Sequence, residues 1–218
     1  MIYTKIRLDF KYGPKERFYR TVLVKNDINL FDLCIGFCLI LRAEFEHCFL
    51  ITERNNNKEY VMAPFMESPL PGYKYLGNYS LKDLADTFSF EYDTGEGWDF
   101  LCKKYKKEVS LNSKKEFIII DGAGMGIFED NISSLYALLN DKIDSLSGES
   151  DEEHGYYLPW NLPITKYGEF DEPLDIDELN DMLADEYKET IKKVLENEKQ
   201  YIKENNVNTN DFEGNYRI

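Results

Sequence analysis

Histidine is almost missing from this chain: His47 and His154 are its two copies in 218 residues. Catalytic histidine is therefore scarce. Cysteine is nearly as scarce, at Cys34, Cys38, Cys48 and Cys102. A chain of this length with so few cysteines, set among apolar residues, is no secreted disulfide scaffold. Cys34 and Cys38 have the spacing of a ligand pair on a helix, but buried apolar packing is the favoured reading. No apolar run reaches the roughly 20 residues that cross a bilayer. The N-terminus "MIYTKIRLDFKYG" alternates like a strand and lacks a signal-peptide apolar block. The expectation is a cytoplasmic protein with no membrane partner.

Positive charge is also in short supply. There are 26 Lys and Arg against 41 Asp and Glu, a formal net charge of −15. The deficit is uneven: residues 1–140 hold 20 acidic and 18 basic side chains, and residues 141–218 hold 21 and 8. Nucleic-acid backbones require clustered Lys and Arg. The one dense basic run is "KKYKKE", Lys103 to Glu108, whose strand-like setting suggests a solvated face or edge. Direct nucleic-acid binding is thus not the expected activity.

Aromatic residues are plentiful, with 16 Tyr and 14 Phe, enough for a substantial core. "IYTKIRLDF" and "RFYRTVLVK" flank "KYGPKE" and read as a β-hairpin. In "NDINLFDLCIGFCLIL", Asn29 caps a helix and Asp32 stands three residues on. Leu30, Leu33, Cys34, Phe37 and Leu41 keep helical spacing, and Gly36 marks a close approach to a sheet. "HCFLIT", "YVMAPF", "FSFEYD" and "WDFLCKKYKKEVSL" read as extended. "SLKDLADTF" repeats the capping logic, and "EFIIID" reads as a central strand. A helix is expected over about Ile132–Leu139.

From Asp141 the chain turns acidic, with an exposed loop at about 141–155 and a Pro-rich aromatic arm after it. Asp175 caps a long helix, with Glu178 three residues later and a stripe of Leu179, Leu183, Tyr187, Ile191, Val194 and Tyr201 or Ile202. This order gives an α+β fold: a mixed, largely antiparallel sheet packed with helices, plus a long C-terminal helix. Residues 1–185 form a single domain, 175–205 the C-terminal helix, and 206–218 a frayed tail.

"FIIIDGAGMGIFED" mimics a strand entering a phosphate loop. Its glycines follow G-x-G-x-G, not G-x-G-x-x-G, and no Lys-Ser/Thr pair follows Gly126, so nucleotide binding is not expected. His47 and Cys48 are adjacent before a strand and should point to opposite faces, which argues against a Cys–His dyad. His47 reads as a structural histidine without a local partner. Asp93, Glu96 and Asp99 crowd one turn, and Asp121, Glu129 and Asp130 another. Oxygen-rich clusters suit hard cations, but turn chemistry explains them more simply.

"EYDTGEGWDF" resembles the Y-D-F-G-D-G-W-E-H pattern of the plasmid pRiA4b ORF-3-like family, also called transposon passenger proteins. Tyr92, Asp93, Gly95, Gly97 and Trp98 match, Glu96 and Asp99 stand at acidic positions, and Thr94 and Phe100 depart. "DGAGMGIFED" is similar to the family's D-G-x-G-x-x-P-P-E-D segment at Asp121, Gly122, Gly124, Glu129 and Asp130, with Ile127 and Phe128 in place of prolines. His47 and Phe49 remain of an H-L-H-E-F motif. "GEFDEPLDIDELN", Gly168 to Asn180, resembles the C-terminal element. The resemblance covers about residues 1–185 and implies a protein of a mobile-element or phage-related setting.

The leading expectation is a non-enzymatic module that binds a basic protein partner through its acidic C-terminal third, in sharper form as a decoy for a nucleic-acid-binding protein. The family positions Tyr92, Asp93, Gly95, Glu96, Gly97, Trp98, Asp121, Gly122, Gly124, Glu129 and Asp130 are the candidate binding residues. Trp98 either offers a flat surface beside carboxylates or, as favoured, anchors the sheet core. No cofactor or metal is expected. The competing expectation is a carboxylate-metal hydrolase that uses both acidic turns, which requires them to converge.

Overall fold

The computed structural model describes residues 1–56, 58–67, 70, 72–127, 129, 132–140 and 173–207. The expected acidic loop, the aromatic arm, His154, Asp130 and the end of the tail lie outside these residues.

The strands are β1 (Ile2–Phe10), β2 (Tyr19–Lys25), β3 (Phe49–Glu53), β4 (Lys58–Val61), β5 (Tyr73–Tyr75), β6 (Thr87–Tyr92), β7 (Trp98–Lys104), β8 (Val109–Ser110) and β9 (Phe117–Ala123). The helices are α1 (Leu30–Ile40), α2 (Ile132–Leu139) and α3 (Ile176–Asn205). The strands form one sheet in the order β5-β4-β3-β6-β7-β1-β2-β9, with β8 also paired to β1. The β4–β5 pair is parallel and the other pairs are antiparallel. The chain is an α+β protein with a long C-terminal helix, as its pattern of elements predicts.

Alternation in β1 buries Ile6, Leu8 and Phe10 on the helix-covered face, while Lys5, Arg7 and Asp9 face outwards. Inward residues of β6 and β7, Phe88, Phe90, Trp98 and Phe100, extend that core. Every residue of α1 except Asp32 is buried, because the sheet lies on one side of it and α3 crosses the other. Asn29 caps α1 by accepting from the Asp32 N–H at 2.8 Å. Gly36 meets the sheet where expected: a Cβ there would lie 2.2 Å from the Phe117 ring. Phe117 also contacts Tyr187 of α3, with ring centroids 5.4 Å apart. The Tyr187 hydroxyl donates to Asp32 O at 3.0 Å, which ties the two helices together.

Three local expectations need correction. The apolar strand "EFIIID" is not central, since β9 ends the sheet order. Its exposed backbone edge is covered by α3: Asn180 accepts from Ile119 N–H at 2.9 Å and donates to Ile119 O at 3.0 Å. A side-chain amide thus does the work of a neighbouring strand. "SLKDLADTF" forms only a 3-10 turn at Leu81–Asp83. The Asp83 carboxylate accepts from the Ser80 N–H, but the Lys104 ammonium takes the carbonyls of Leu81 and Leu84, leaving the turn nothing to propagate on. The stretch after Trp98 also breaks, so that β7 and the two-residue β8 are separate.

Candidate functional site

Three constructions bear on function, and each forms around a buried charge. The first is the glycine segment after β9. Alternation in β2 carries Arg20 inward, and it is fully buried. Its Nε donates to Ile40 O at 2.9 Å, Nη1 to Tyr19 O at 2.9 Å and Ala123 O at 2.5 Å, and Nη2 to Gly124 O at 2.8 Å and Met125 O at 3.1 Å. Burial, with help from Arg42, pulls its pKa down to about 9, so it stays charged at neutral pH. A phosphate loop aims N–H groups at its anion. This loop instead aims the carbonyls of Ala123, Gly124 and Met125 at a cation. Its glycines follow from that path. Gly124 has φ 78°, and a Cβ would lie 2.7 Å from Leu174 at Gly122 and 2.7 Å from Leu41 O at Gly126.

The second construction is the β6–β7 turn. Asp93 sits at φ 52° and Gly97 at φ 79°. Asp93 Oδ1 accepts from the N–H groups of Gly95 at 3.0 Å and Glu96 at 3.3 Å, and Gly97 N–H donates to Asp93 O at 2.6 Å. This is an Asx-type turn stabilised by its own aspartate. Trp98 is fully buried, 5.8 Å from the Phe10 ring, and so anchors the core instead of offering a surface. Tyr92 and Asp93 are buried as well, whereas Gly95, Glu96 and Asp121 are exposed.

The two turns converge. Glu129 Oε1 accepts from the Glu44 N–H at 2.6 Å and from the Tyr92 hydroxyl at 3.0 Å. Glu96 Oε2 accepts from the Ile132 N–H at 3.1 Å, at the start of α2. His47 bridges them, with Nδ1 3.7 Å from Asp93 Oδ1 and Nε2 3.9 Å from Glu129 Oε2. Its ring stands edge-on to Tyr92 at 5.9 Å. His47 is thus a partly exposed histidine with no partner nearby in sequence, as expected; its partners come from two distant turns, which local spacing does not reveal. Burial raises the Glu129 carboxyl, and burial together with Glu129 raises the Tyr92 phenol. Asp93 Oδ2 and Glu129 Oε2 are buried without a hydrogen-bond partner among the described residues. Among the described residues, no three His, Cys, Asp or Glu side chains are placed to share a metal ion. Cys34, Cys38 and Cys102 are buried thiols, raised chiefly by burial, and act as apolar filling.

The third construction is α3. Asp175 caps it by accepting from the Glu178 N–H at 2.9 Å. Leu179, Leu183, Tyr187 and Val194 face the body, and Glu198 continues the same stripe. Glu198 is buried: Oε1 accepts from the Ala63 N–H at 2.7 Å and Oε2 from the Tyr75 hydroxyl at 2.9 Å. Burial raises its carboxyl. On the outer side, Asp177, Asp181, Asp185 and Glu189 are all exposed, one helical turn apart.

No family model matches the chain, and no curated protein matches it. A solved structure is similar: the protein of unknown function MM3350 from Methanosarcina mazei Go1, at 15% identity and TM-score 0.52, over 72% of this chain and 96% of that one. At that identity the likeness establishes a shared fold alone. Among the described residues, no helix is long and apolar enough to cross a membrane.

Proposed function

We propose that the chain is a non-enzymatic binding module that recognises a basic protein through the outer face of α3. One observation carries this reading: the exposed ladder Asp177, Asp181, Asp185 and Glu189. Like charges at i, i+4 oppose helix formation. The helix dipole compensates acidic residues only in the first turn, where Asp177 and Glu178 lie. Asp181, Asp185 and Glu189 gain nothing from it; Lys188, Lys192 and Lys193, three or four residues beyond Asp185 and Glu189, offset part of their repulsion, and a basic partner would relieve the remainder. The family-motif residues support the same assignment from the other side. Asp93, Glu96 and Glu129 are engaged in holding the turns together, and Trp98 is in the core. In a mobile-element setting, a sharper form has the acidic ladder occupy the groove in which the partner holds nucleic acid.

Affinity capture from the source cells tests the reading. A variant with Asp177, Asp181 and Asp185 changed to Asn and Glu189 to Gln is compared with the parent. The expected result is basic proteins recovered by the parent and lost by the variant. Equal recovery of the same proteins by both contradicts it.

The competing carboxylate-metal hydrolase has one observation in its favour, the convergence of both acidic turns on His47, although no three such side chains among the described residues stand close enough to share a metal ion. It predicts that a divalent cation added to the protein shifts its unfolding temperature, and that His47→Ala abolishes that shift.

A further inference from the structure

Beside the acidic ladder lies a cleft of about 580 Å³, between α3 and the segment from Leu39 to Phe49. Its volume falls in the range of ligand sites. Phe49, Met62 and Val194, all buried, supply its apolar floor, and His47 and the buried Glu198 line it as well. Its rim is acidic: Glu44 and Glu46 stand exposed on one wall and Glu186 on the other, and among the described lining residues Lys193 is the one lysine or arginine. Adjacent helical positions point about 100° apart, so the α3 wall of the cleft, from Glu186 to Asn197, is turned away from Asp177 and Asp181 and meets the ladder only at its Asp185–Glu189 end.

We propose that this cleft is the anchor site for the basic partner, taking one apolar side chain of an extended segment while flanking arginine or lysine residues meet the rim. The inference rests on the reading of α3 as the recognition surface and adds sequence selectivity to it. A charge ladder alone attracts any basic chain with little discrimination. An apolar pocket inside an acidic rim selects a basic segment that also carries a large aliphatic or aromatic residue, because burial of that anchor supplies what the charges cannot. The rim also opposes acidic segments with the same anchor.

Fluorescence anisotropy with three labelled eight-residue peptides tests this: alternating arginine–leucine, arginine–serine and glutamate–leucine. The arginine–leucine peptide is expected to bind at least tenfold more tightly than arginine–serine, and glutamate–leucine to bind least. Asn197, exposed on the cleft wall, provides the second arm. In Asn197→Trp, whose fold is checked by thermal unfolding, the preference for leucine over serine is expected to vanish while the arginine-dependent attraction persists. Equal binding of the two arginine peptides by the parent, or a leucine preference that survives Asn197→Trp, overturns the anchor site. Arginine–serine binding that is unaffected by neutralising the ladder overturns the α3 reading instead, so the two failures are distinguishable.

Discussion

Two of the buried charges of this molecule, Arg20 and Glu198, are held in opposite ways. Arg20, beneath the β9 end of the sheet, gives its donors to five backbone carbonyls. Glu198, at the β5 end, receives one backbone N–H and one tyrosine hydroxyl. A guanidinium whose pKa is about 9 remains a cation through the physiological range, so its cage is permanent. A carboxyl raised by burial can instead accept a proton and stay hydrogen-bonded. The glycine loop is thus tied to a permanent cation, whereas the far end of α3 carries a carboxyl whose protonation can change with pH.

The largest effect expected is from Arg20→Leu, which takes the donor from the buried carbonyls of Ile40 and Gly124 and the half-buried ones of Tyr19, Ala123 and Met125. Urea unfolding should show a loss of about 3–5 kcal/mol. Next is Gly36→Ala, whose methyl meets the Phe117 ring; overpacking of about 1–3 kcal/mol outweighs the gain in helix propensity. Combining it with Phe117→Leu should recover part of that loss, and a purely additive double mutant would refute the contact as the cause.

Glu198→Gln sharpens the comparison directly. An amide keeps both contacts, accepting from Ala63 and donating to the Tyr75 hydroxyl, but carries no charge. Neutral-pH stability should rise by about 1 kcal/mol. The sign with pH is fixed by linkage. A carboxyl whose native pKa lies above its unfolded value binds its proton more readily when folded, so it adds stability as pH falls through the native value. That gain is complete below the unfolded value of about 4.3. Glu129 is raised in the same direction and contributes alike. Denaturation midpoints across this range should flatten in Glu198→Gln and retain a residual slope from Glu129. The smallest effect is from Asp175→Ala, which removes the α3 cap for about 1 kcal/mol.

Features written in neighbouring residues were legible before any coordinates. Asn29 and Asp175 cap their helices as expected, α2 spans Ile132–Leu139, and the α3 stripe runs through Leu179, Leu183, Tyr187 and Val194. Their signals depend on spacings of three and four residues. What sequence did not disclose depends on distant segments. The apolar run of β9 suggested a strand flanked on both sides; in fact a side chain of α3 closes its edge. His47 finds its partners only once two turns meet. Yet two signals were present. Arg20 shares the inward phase of β2 with Val22 and Val24, and Glu198 sits on the apolar stripe of α3 between Val194 and Ile202. A charge on an apolar phase marks a buried, specifically bonded group.

The central claim is that the outer face of α3 touches the partner while the β6–β7 turn only shapes the fold. Photo-crosslinking tests it most directly, with a photoreactive residue placed at Asp185 in one variant and at Thr94, the exposed tip of the turn, in another. The account predicts a crosslinked partner from position 185 and none from position 94. A partner crosslinked from position 94 and not from 185 would contradict it.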